Sequence, residues 1–450
     1  MGRIIVVGAG RSGLGAAEFL ARAGRDVVVT DVRAGPEAQA AARLAELSVA
    51  GVWGGHPLTL LEGCDEVVLS PVVPPGSPFP REAAARGIPV IGELELAHRA
   101  LRERKDGAQI LAVTGTNGKS TTTDLTAHLL KAADLPAVAC GNLGTPLITA
   151  MAGAEPGTRF ALECSSYQLE TVRDFHSEAA AALNLTPDHL ARHGTMEAYR
   201  AAKVRIFQHQ AEADLRLTPM ADPAFEALAP GGGRSARFGW DCPDGPGAWC
   251  DDHGTLWLKD EYGEHPLVPR AQLLIPGDHN VENALAAAVL ARHGGADLDG
   301  IRAGLRSYPG LAHRMVLCGE RDGIKAYNDS KGTNLDATLT AVRALPGPLV
   351  LLLGGQDKGT GYLPLRAALE GKLRRLVFLG EAIPQLERDL GGLPHDTVRP
   401  FDEAVARALE QARPGDQVLL SPACASFDQF ENFERRGERF EQLVREWVKG

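Results

Sequence analysis

The chain has 450 residues, of which 44% are hydrophobic and 23% are charged, and its formal net charge is −10. This length predicts two to four domains, and the acidic balance argues against a nucleic-acid-binding surface. The seven cysteines are scattered without a CxxC pair, which indicates neither a zinc ribbon nor a redox motif and is typical of a reducing compartment. No apolar run approaches the roughly 20 residues of a membrane helix, and no signal peptide is recognisable. We therefore expect a cytoplasmic protein that binds neither nucleic acid nor membrane.

The first part of the chain, residues 1–105, alternates predicted strands with helices. Such alternation predicts a parallel, doubly wound sheet. The predicted strands are Arg3–Val7, Asp26–Asp31, Val67–Leu69 and Pro89–Ile91, and Leu14–Arg22 has helical spacing.

A glycine fingerprint lies between the first strand and the first helix. Gly8-Ala9-Gly10-Arg11-Ser12-Gly13 fits G-x-G-x-x-G, and Asp31 ends the next strand at about the expected offset. Glycines let the backbone approach a diphosphate at a helix N-terminus. That requirement is met by NAD or FAD, by another nucleotide such as a UDP-sugar, or by a purely structural turn.

The second part, residues 106–309, opens with the strongest motif in the sequence. The strand Gln109–Val113 leads into Thr114-Gly115-Thr116-Asn117-Gly118-Lys119-Ser120-Thr121, and a helix follows over Thr122–Ala132. Gly115 and Gly118 permit a tight turn whose N–H groups cradle phosphate, Lys119 reaches the β- and γ-phosphates, and Ser120 binds Mg²⁺. The loop is not a strict Walker A sequence, because only two residues separate the glycines and Val113 replaces the first glycine.

Further strands are expected over Arg159–Glu163 and Ala179–Leu183, and helices over Met196–His209 and Asn280–Arg292. Residues 230–263, rich in glycine and aspartate, are interpreted as a plain surface β-hairpin. The third part, residues 310–450, again alternates strands with helices, which predicts a third parallel sheet. Its strands are Pro348–Leu353, Arg375–Leu379 and Gln417–Leu420.

A series of motifs in fixed order resembles the Mur ligase and folylpolyglutamate synthetase superfamily over nearly the whole chain. After T-G-T-N-G-K-S-T come the segments at residues 141–144, 163–169, 184–190, 201–203, 277–283, 313–314, 328–334 and 421–430. The resemblance implies three α/β domains. They are a Rossmann-like UDP-sugar-binding domain at residues 1–105, a central P-loop-type mononucleotide-binding sheet at residues 106–309 that binds ATP and carries catalysis, and a Rossmann-like amino-acid-binding domain at residues 310–450.

Within that superfamily, Ser421–Gly437 resembles the D-glutamate-adding branch, whereas the Asp-Asn-Pro-Arg motif of the branch that adds a diamino acid is missing. The resemblance implies an ATP- and Mg²⁺-dependent amide ligase of peptidoglycan precursor synthesis. Its substrates would be UDP-N-acetylmuramoyl-L-alanine and D-glutamate, its intermediate an acyl phosphate, and its state a monomer.

The resemblance also implies roles for individual residues. Lys119, Asn142, Glu163, Ser165, His189 and Lys203 would be catalytic, and the metal would be held by Ser120, Glu163, His189 and Lys203, the last as an N-carbamate. ATP would contact residues 115–121, Asn280, Asn283 (the better candidate for adenine), Arg314 and Asp329. The UDP-sugar would contact Arg11, Ser12, Asp31 and Arg33, and D-glutamate would contact Lys331, Thr333, Lys358, Ser426 and Phe433.

Two positions depart from the superfamily pattern and leave contact details open. Gln356 stands where an acidic residue is common, and Ser70-Pro71-Val72 replaces a frequent Ser-Pro-Gly. Two other functions remain: an NAD-dependent oxidoreductase, from Gly8–Gly13, and a regulator that binds ATP without releasing phosphate. Lys119, Glu163 and Lys203 together argue against the regulator, since a pure binder needs no such set.

Overall fold

The computed structural model describes residues 2–36, 38–228, 230–357, 359 and 361–450. The described backbone forms three β-sheets flanked by helices, so the predicted α/β class is confirmed. The chain divides into two compact units, Met1–Gln272 with Glu282–Ser307 and Leu273–Val281 with Tyr308–Gly450, and each is described by itself. The predicted domain limits at residues 105 and 309 stay a prediction.

The first sheet has five parallel strands in the order β3-β2-β1-β4-β5. Its interior strands are buried over Ile4–Val7, Val27–Asp31 and Val67–Leu69, as expected for a parallel sheet that helices cover on both faces. The strands are β1 Arg3–Val7, β2 Val27–Asp31, β3 Ala50–Trp53, β4 Cys64–Leu69 and β5 Val90–Gly92. The helices are α1 Arg11–Arg22, α2 Ala38–Glu46, α3 Pro78–Ala85 and α4 Glu93–Arg104, with a 3₁₀ turn at Leu58–Leu61.

The second sheet has nine strands in the order β14-β13-β12-β11-β10-β9-β6-β8-β7. They are β6 Gln109–Thr114, β7 Ala137–Gly141, β8 Arg159–Glu163, β9 Ala179–Ala182, β10 Leu215–Pro219, β11 Arg234–Gly239, β12 Gly247–Cys250, β13 Thr255–Asp260 and β14 Gly263–Pro269. The helices are α5 Lys119–Ala132, α6 Leu147–Ala150, α7 Ser166–Leu169, α8 Leu190–His193, α9 Met196–Val204, α10 Pro223–Leu228, α11 Asp278–His293 and α12 Leu298–Ser307, with 3₁₀ turns at Met151–Gly153, Arg205–Phe207 and Arg270–Gln272.

The first and second sheets share one buried cluster. It runs from Val6 in β1 through Leu94 and Ala97 in α4 to Ile110 in β6 and Phe160 in β8. Continuous apolar packing of this kind holds elements in one arrangement. This common core therefore fixes the position of the first sheet relative to the second.

The interpretation of residues 230–263 as a plain surface hairpin is wrong. β12 and β13 do form an antiparallel hairpin, but β11 pairs in parallel with β10 and extends the central sheet. All four residues of β12 are buried, and Trp249 stacks on Trp257 across the hairpin with ring centroids 5.7 Å apart. Ladder pairing and aromatic burial make β12, and the buried residues of β11 and β13, part of the core.

The third sheet has six strands in the order β15-β16-β20-β17-β18-β19. They are β15 Val316–Arg321, β16 Ile324–Asn328, β17 Leu349–Gly354, β18 Leu373–Leu379, β19 His395–Thr397 and β20 Gln417–Leu420, and the helices are α13 Leu335–Ala344, α14 Leu365–Leu369, α15 Ile383–Leu390, α16 Phe401–Gln411 and α17 Phe433–Lys449. A wholly parallel sheet was expected, and this expectation is wrong at one edge, where β15 and β16 form an antiparallel hairpin. A two-residue turn at Asp322-Gly323 joins these strands, and only antiparallel strands can be joined so closely.

In the described parts of the chain, no helix combines the length and apolar character that a bilayer crossing requires.

Candidate active site

Four parallel strands of the second sheet, β7, β8, β6 and β9, end at one edge. The residues that follow them carry most of the predicted chemistry: Asn142 after β7, Glu163 and Ser165 at the end of β8, the loop 115–118 after β6, and Asn184 after β9. Ligands of open parallel sheets bind outside the carboxyl ends of the strands. The topology therefore brings together motifs that lie up to about 70 residues apart in sequence.

The loop between β6 and α5 has the backbone that its glycines predict. Gly118 has φ +81°, and a Cβ there would lie 2.3 Å from Oδ1 of Asn283. The amides of Thr116 and Asn117 donate to the backbone and side-chain oxygens of Asn184, at 3.0 and 2.8 Å. Asn184 therefore fixes the loop, and two of the amides expected to cradle phosphate are bonded to it.

The two lysines of the site converge on this loop. Lys119 is the first residue of α5, and its Nζ donates to the carbonyl of Thr116 at 2.7 Å. Lys203 on α9 is 1% exposed, and its Nζ donates to the carbonyl of Gly115 at 2.7 Å. Burial, and secondly the charge of Lys119, lower the pKa of Lys203 to about 7. An ammonium that loses hydration beside another cation is held less firmly in its charged form.

Glu163 presents an unsatisfied carboxylate oxygen at the same edge. The side chain is 2% exposed, and its Oε1 accepts a hydrogen bond from Nδ2 of Asn142 at 2.8 Å. Its Oε2 is buried and has no hydrogen-bond partner among the described residues. Such an atom is costly unless something satisfies it, and a hard cation is the natural candidate.

The described residues contain no group of three His, Cys, Asp or Glu side chains that could hold a metal alone. Mg²⁺ does not require one, because it usually takes one or two carboxylates and completes its shell with water and substrate phosphates. The donor set around Glu163 therefore fits Mg²⁺ better than a metal that needs an all-protein cage.

Ser165 and His189 have local contacts that the motifs did not predict. Ser165 is the N-cap of α7, where it forms a capping box with Gln168. His189 is exposed in a left-handed conformation, φ 54°, and its Nδ1 lies 3.2 Å from the hydroxyl of Tyr167. Non-glycine residues in this region are strained and are often found at functional sites.

The other predicted ATP contacts on α5 and α11 are buried. Ser120 and Thr121 lie in the first turn of α5, and Oγ1 of Thr122 donates to Oδ1 of Asn283 at 3.2 Å. Asn280 donates from Nδ2 to the carbonyl of Pro276 at 2.7 Å, at the start of α11. Asn283 belongs to the first unit and Asn280 to the second.

In the first sheet, Asp31 organises the glycine loop. Its carboxylate accepts from the amide of Ala9 at 2.7 Å and from the guanidinium of Arg33 at 2.9 and 3.1 Å. The Arg33 guanidinium holds the pKa of Asp31 well below its usual range. Arg33 is thus partly neutralised by Asp31, while Arg11 and Ser12 begin α1 beside the loop.

In the second unit, the predicted residues cluster around the ends of β16 and β20. Asp329 is buried, accepts from Oγ of Ser421 at 2.7 Å, and has a pKa raised to about 7, chiefly by burial. Arg314 lies close enough to Asp329 to oppose that rise in pKa.

The predicted D-glutamate contacts lie in the same unit. Nζ of Lys331 lies 5.5 Å from the ring centroid of Phe433, the first residue of α17. The amide of Thr333 donates to the carbonyl of Lys331, Ser426 is buried, and Lys358 lies outside the described residues.

Three residues that support the site were not singled out from the sequence. Asn184 fixes the phosphate loop, and Tyr199 contacts Thr116 with its hydroxyl and Lys203 with its ring. Arg436 is 1% exposed and donates to Ser330 and to the carbonyls of Cys424 and Ala425. No spacing rule identifies such supports, although a buried arginine is always a candidate for joining loops.

Three family models match successive parts of the chain. Residues 2–92 match the Mur ligase MurD-like N-terminal domain, residues 113–291 the Mur ligase middle domain, and residues 313–424 the Mur ligase glutamate ligase domain. A UDP-N-acetylmuramoylalanine–D-glutamate ligase from Anaeromyxobacter dehalogenans is 42% identical over 99% of this chain and 98% of its own length. The chain belongs to the Mur ligase family. As a Mur ligase it is an ATP-dependent enzyme, and the Gly8–Gly13 loop belongs to a MurD-like domain rather than to an NAD-dependent oxidoreductase.

Other full-length relatives have the same name. The protein from Acidobacterium capsulatum is 40% identical over 98% of this chain and 96% of its own. Among solved structures, a UDP-N-acetylmuramate-alanine ligase from Thermotoga maritima has a TM-score of 0.59 at 20% identity, with 99% of this chain and 100% of that chain covered. A D-alanyl-D-alanyl-adding ligase from Acinetobacter baumannii has a TM-score of 0.60 at 17% identity, with coverages of 98% and 93%. These structures show that the chain has the Mur ligase fold.

Proposed function

We propose that this Mur ligase joins D-glutamate to UDP-N-acetylmuramoyl-L-alanine with ATP, as the names of its relatives state for them. The single observation that supports this most is the grouping of Lys119, Lys203 and Glu163 around one phosphate loop. The reaction must gather a triphosphate and carboxylates that repel one another. Cationic side chains and a metal site at the edge of a parallel sheet meet that need.

The proposed chemistry has two steps. A carboxylate oxygen of the L-alanine residue attacks the γ-phosphorus of ATP, the bond to ADP breaks, and an acyl phosphate forms. The amine of D-glutamate then attacks the acyl carbon, loses a proton, and expels inorganic phosphate to leave an amide. Lys119 stabilises charge on the transferred phosphoryl group, while Asn142 keeps the Glu163 carboxylate oriented.

The proposal includes Mg²⁺, which Ser120, Glu163, His189 and the N-carbamate of Lys203 would hold. When bound, it would neutralise phosphate charge and polarise the phosphoryl oxygens. The buried, unpartnered Oε2 of Glu163 supports this role. Ser165 contributes by capping the N-terminus of α7, and this cap sets the direction of the helix directly after Glu163.

The remaining site residues follow the same proposal. Gly115–Thr121, Asn280, Asn283, Arg314 and Asp329 bind ATP; Arg11, Ser12, Asp31 and Arg33 bind the UDP moiety; and Lys331, Thr333, Lys358, Ser426 and Phe433 bind D-glutamate. The three functional regions are residues 1–105, 106–309 and 310–450. The enzyme acts as a monomer in the cytoplasm, where ATP and nucleotide sugars are available.

The deciding experiment measures ADP release with every combination of ATP, UDP-N-acetylmuramoyl-L-alanine and a panel of amino acids. We expect turnover only with the nucleotide sugar and D-glutamate together, and at least about a hundredfold loss of kcat in Lys119→Ala. Lys131→Ala, at the other end of α5, is the matched control and retains activity. Equal turnover with L-glutamate or meso-diaminopimelate would refute the assignment, as would full activity of Lys119→Ala; ATP binding without ADP release would favour the regulator.

A further inference from the structure

Arg192 on α8 connects the turn that follows β4 in the first sheet to the segment that follows β8 in the second sheet. Its Nε and Nη2 donate to Oε2 of Glu170 at 3.1 and 2.6 Å, and its guanidinium carbon lies 4.6 Å from the ring centroid of Tyr167. The same guanidinium donates to the carbonyls of Val72 and Val73, at 3.3 and 3.4 Å. One planar group on α8 thus contacts two separate segments of the chain, residues 167–170 and residues 72–73.

The Val72 side of this connection is the turn beside the glycine loop of the first sheet. Oγ of Ser70 donates to the carbonyl of Gly8 at 3.0 Å, and the amide of Val73 closes the turn on the carbonyl of Ser70. A Cβ at Gly13 would lie 2.8 Å from Oγ of Ser70, so turn and loop pack without space between them. A displacement of Val72 or Val73 therefore displaces the wall of the nucleotide loop.

The Glu170 side of the connection leads to the reacting end. Glu170 follows α7, the helix that Ser165 caps directly after Glu163, and its Oε1 lies 3.3 Å from Nδ1 of His193. His193 and Arg192 belong to α8, whose N-cap is His189. Glu170 and Arg192 together hold α8, and with it His189, against the C-terminal end of α7.

We propose that Arg192 is a positioning residue that sets the spacing between the nucleotide end and the carboxylate end of the bound UDP-sugar substrate. This inference rests on the proposed function, because it requires one ligand to contact both loops. Small errors in the alignment of reacting atoms lower the rate strongly even when they arise far from the chemistry. A guanidinium can hold a carboxylate and two carbonyls at fixed angles, whereas a lysine ammonium is a compact point charge on a flexible stem.

The role of Arg192 is separate from general docking of the two sheets. Glu95 of α4 is buried and accepts from the amides of Arg173 and Asp174, and Glu93 accepts from the amide of Ile148. These hydrogen bonds and the shared core hold the first and second sheets together without Arg192. Loss of the Arg192 contacts should therefore change the alignment of the loops more than the stability.

Arg104 provides a matched control. It also donates to one carboxylate, Asp106, and to two carbonyls, those of Met151 and Ala154, across the same pair of layers. Its side chain is 26% exposed, against 14% for Arg192. Arg104 does not contact either of the segments that Arg192 joins. The Arg104→Lys variant therefore removes a guanidinium with a comparable set of hydrogen bonds away from the site.

The experiment compares kcat and the three KM values of wild type, Arg192→Lys and Arg104→Lys by ADP release. For Arg192→Lys we expect about a tenfold rise in KM for UDP-N-acetylmuramoyl-L-alanine and a similar fall in kcat, with KM for ATP within about twofold. For Arg104→Lys we expect all three KM values within about twofold of wild type. Glu170→Gln, which keeps Arg192 but weakens its anchor, should shift the same two parameters in the same direction.

The outcomes separate two claims. A wild type that releases no ADP with the nucleotide sugar and D-glutamate would overturn the proposed function, and this inference with it. A normal wild type with an Arg192→Lys variant that matches Arg104→Lys, or that raises KM for ATP as much as KM for the nucleotide sugar, would overturn the positioning role alone. If Arg192→Lys does not fold, an unchanged KM for the nucleotide sugar in Glu170→Gln overturns the positioning role instead.

Discussion

At the scale of single residues, Lys203 shows how burial changes chemistry. Arginine outnumbers lysine in this chain by 37 to 10, yet a lysine is buried beside the phosphate loop. Loss of hydration lowers the pKa of Lys203 to about 7, so much of the amine is uncharged near neutral pH. An uncharged amine can attack CO₂ and lose a proton to give a carbamate, whereas a guanidinium remains protonated and cannot.

We predict that Lys203 is carbamylated in the active enzyme. With ¹³C-labelled bicarbonate, wild type should show a carbamate carbon resonance by NMR that Lys203→Arg lacks, and Lys203→Arg should lose about a hundredfold or more in kcat. Lys131→Arg, an exposed position on α5, should change neither. A fully active enzyme without a carbamate signal, or full activity of Lys203→Arg, would contradict this prediction.

At the scale of secondary-structure elements, helix α4 begins with a fully buried carboxyl group. Glu93 accepts from the amide of Ile148 at 3.1 Å through Oε1, and its Oε2 is buried without a hydrogen-bond partner among the described residues. Burial raises the pKa of Glu93 to about 7 from an ordinary value near 4.5. The folded state therefore retains a proton that the unfolded chain releases between these two values.

We predict that Glu93→Gln becomes more stable relative to wild type as the pH rises. Because the folded pKa is raised, the contribution of protonated Glu93 is fully present below about pH 4.5 and is lost as the pH rises through about 7. Urea unfolding at pH 5 and pH 8 should show a relative gain for Glu93→Gln of about 2–3 kcal/mol between the two conditions. Glu82→Gln, at an exposed ion pair, is the control; an equal Glu93→Gln effect at both pH values would exclude the mechanism.

At the scale of the whole molecule, the second unit has its own hydrophobic cores. Two buried clusters are composed entirely of residues between Met315 and Val444, and they alternate along β17: Leu351 belongs to one and Leu352 to the other. Alternate residues of a strand face opposite sides of its sheet, so each face is covered from within the unit. The length of residues 308–450 is typical of an independent domain.

We predict that a fragment of residues 308–450 folds on its own. It should show near-ultraviolet circular dichroism and one cooperative thermal transition, because none of the residues in its two clusters lies outside the fragment. Leu351→Asp, which buries a charge in the centre of the sheet, should abolish that transition. A fragment that is expanded and melts without cooperativity would show that the clusters need the rest of the chain.

Local sequence patterns determined the elements with strong periodicity and the chemistry of the main motifs. The limits of β1, β8 and β20 were predicted to the residue, because short apolar runs bounded by polar or turn residues allow few alternatives. The lysine and glycines at residues 115–119 indicated a phosphate site, because few other functions require that combination.

Only the tertiary structure decided how those pieces combine. Nothing local in residues 230–263 distinguishes a surface hairpin from strands that extend a sheet, because the difference lies in the pairing of β11 with β10. In the same way, the bond of Lys203 to Gly115 spans 88 positions of the chain, the support of the loop by Asn184 spans 67, and the bond of Arg192 to Val72 spans 120. Local propensity fixes which residues can donate, accept or turn, whereas non-local pairing and packing fix which partners they meet.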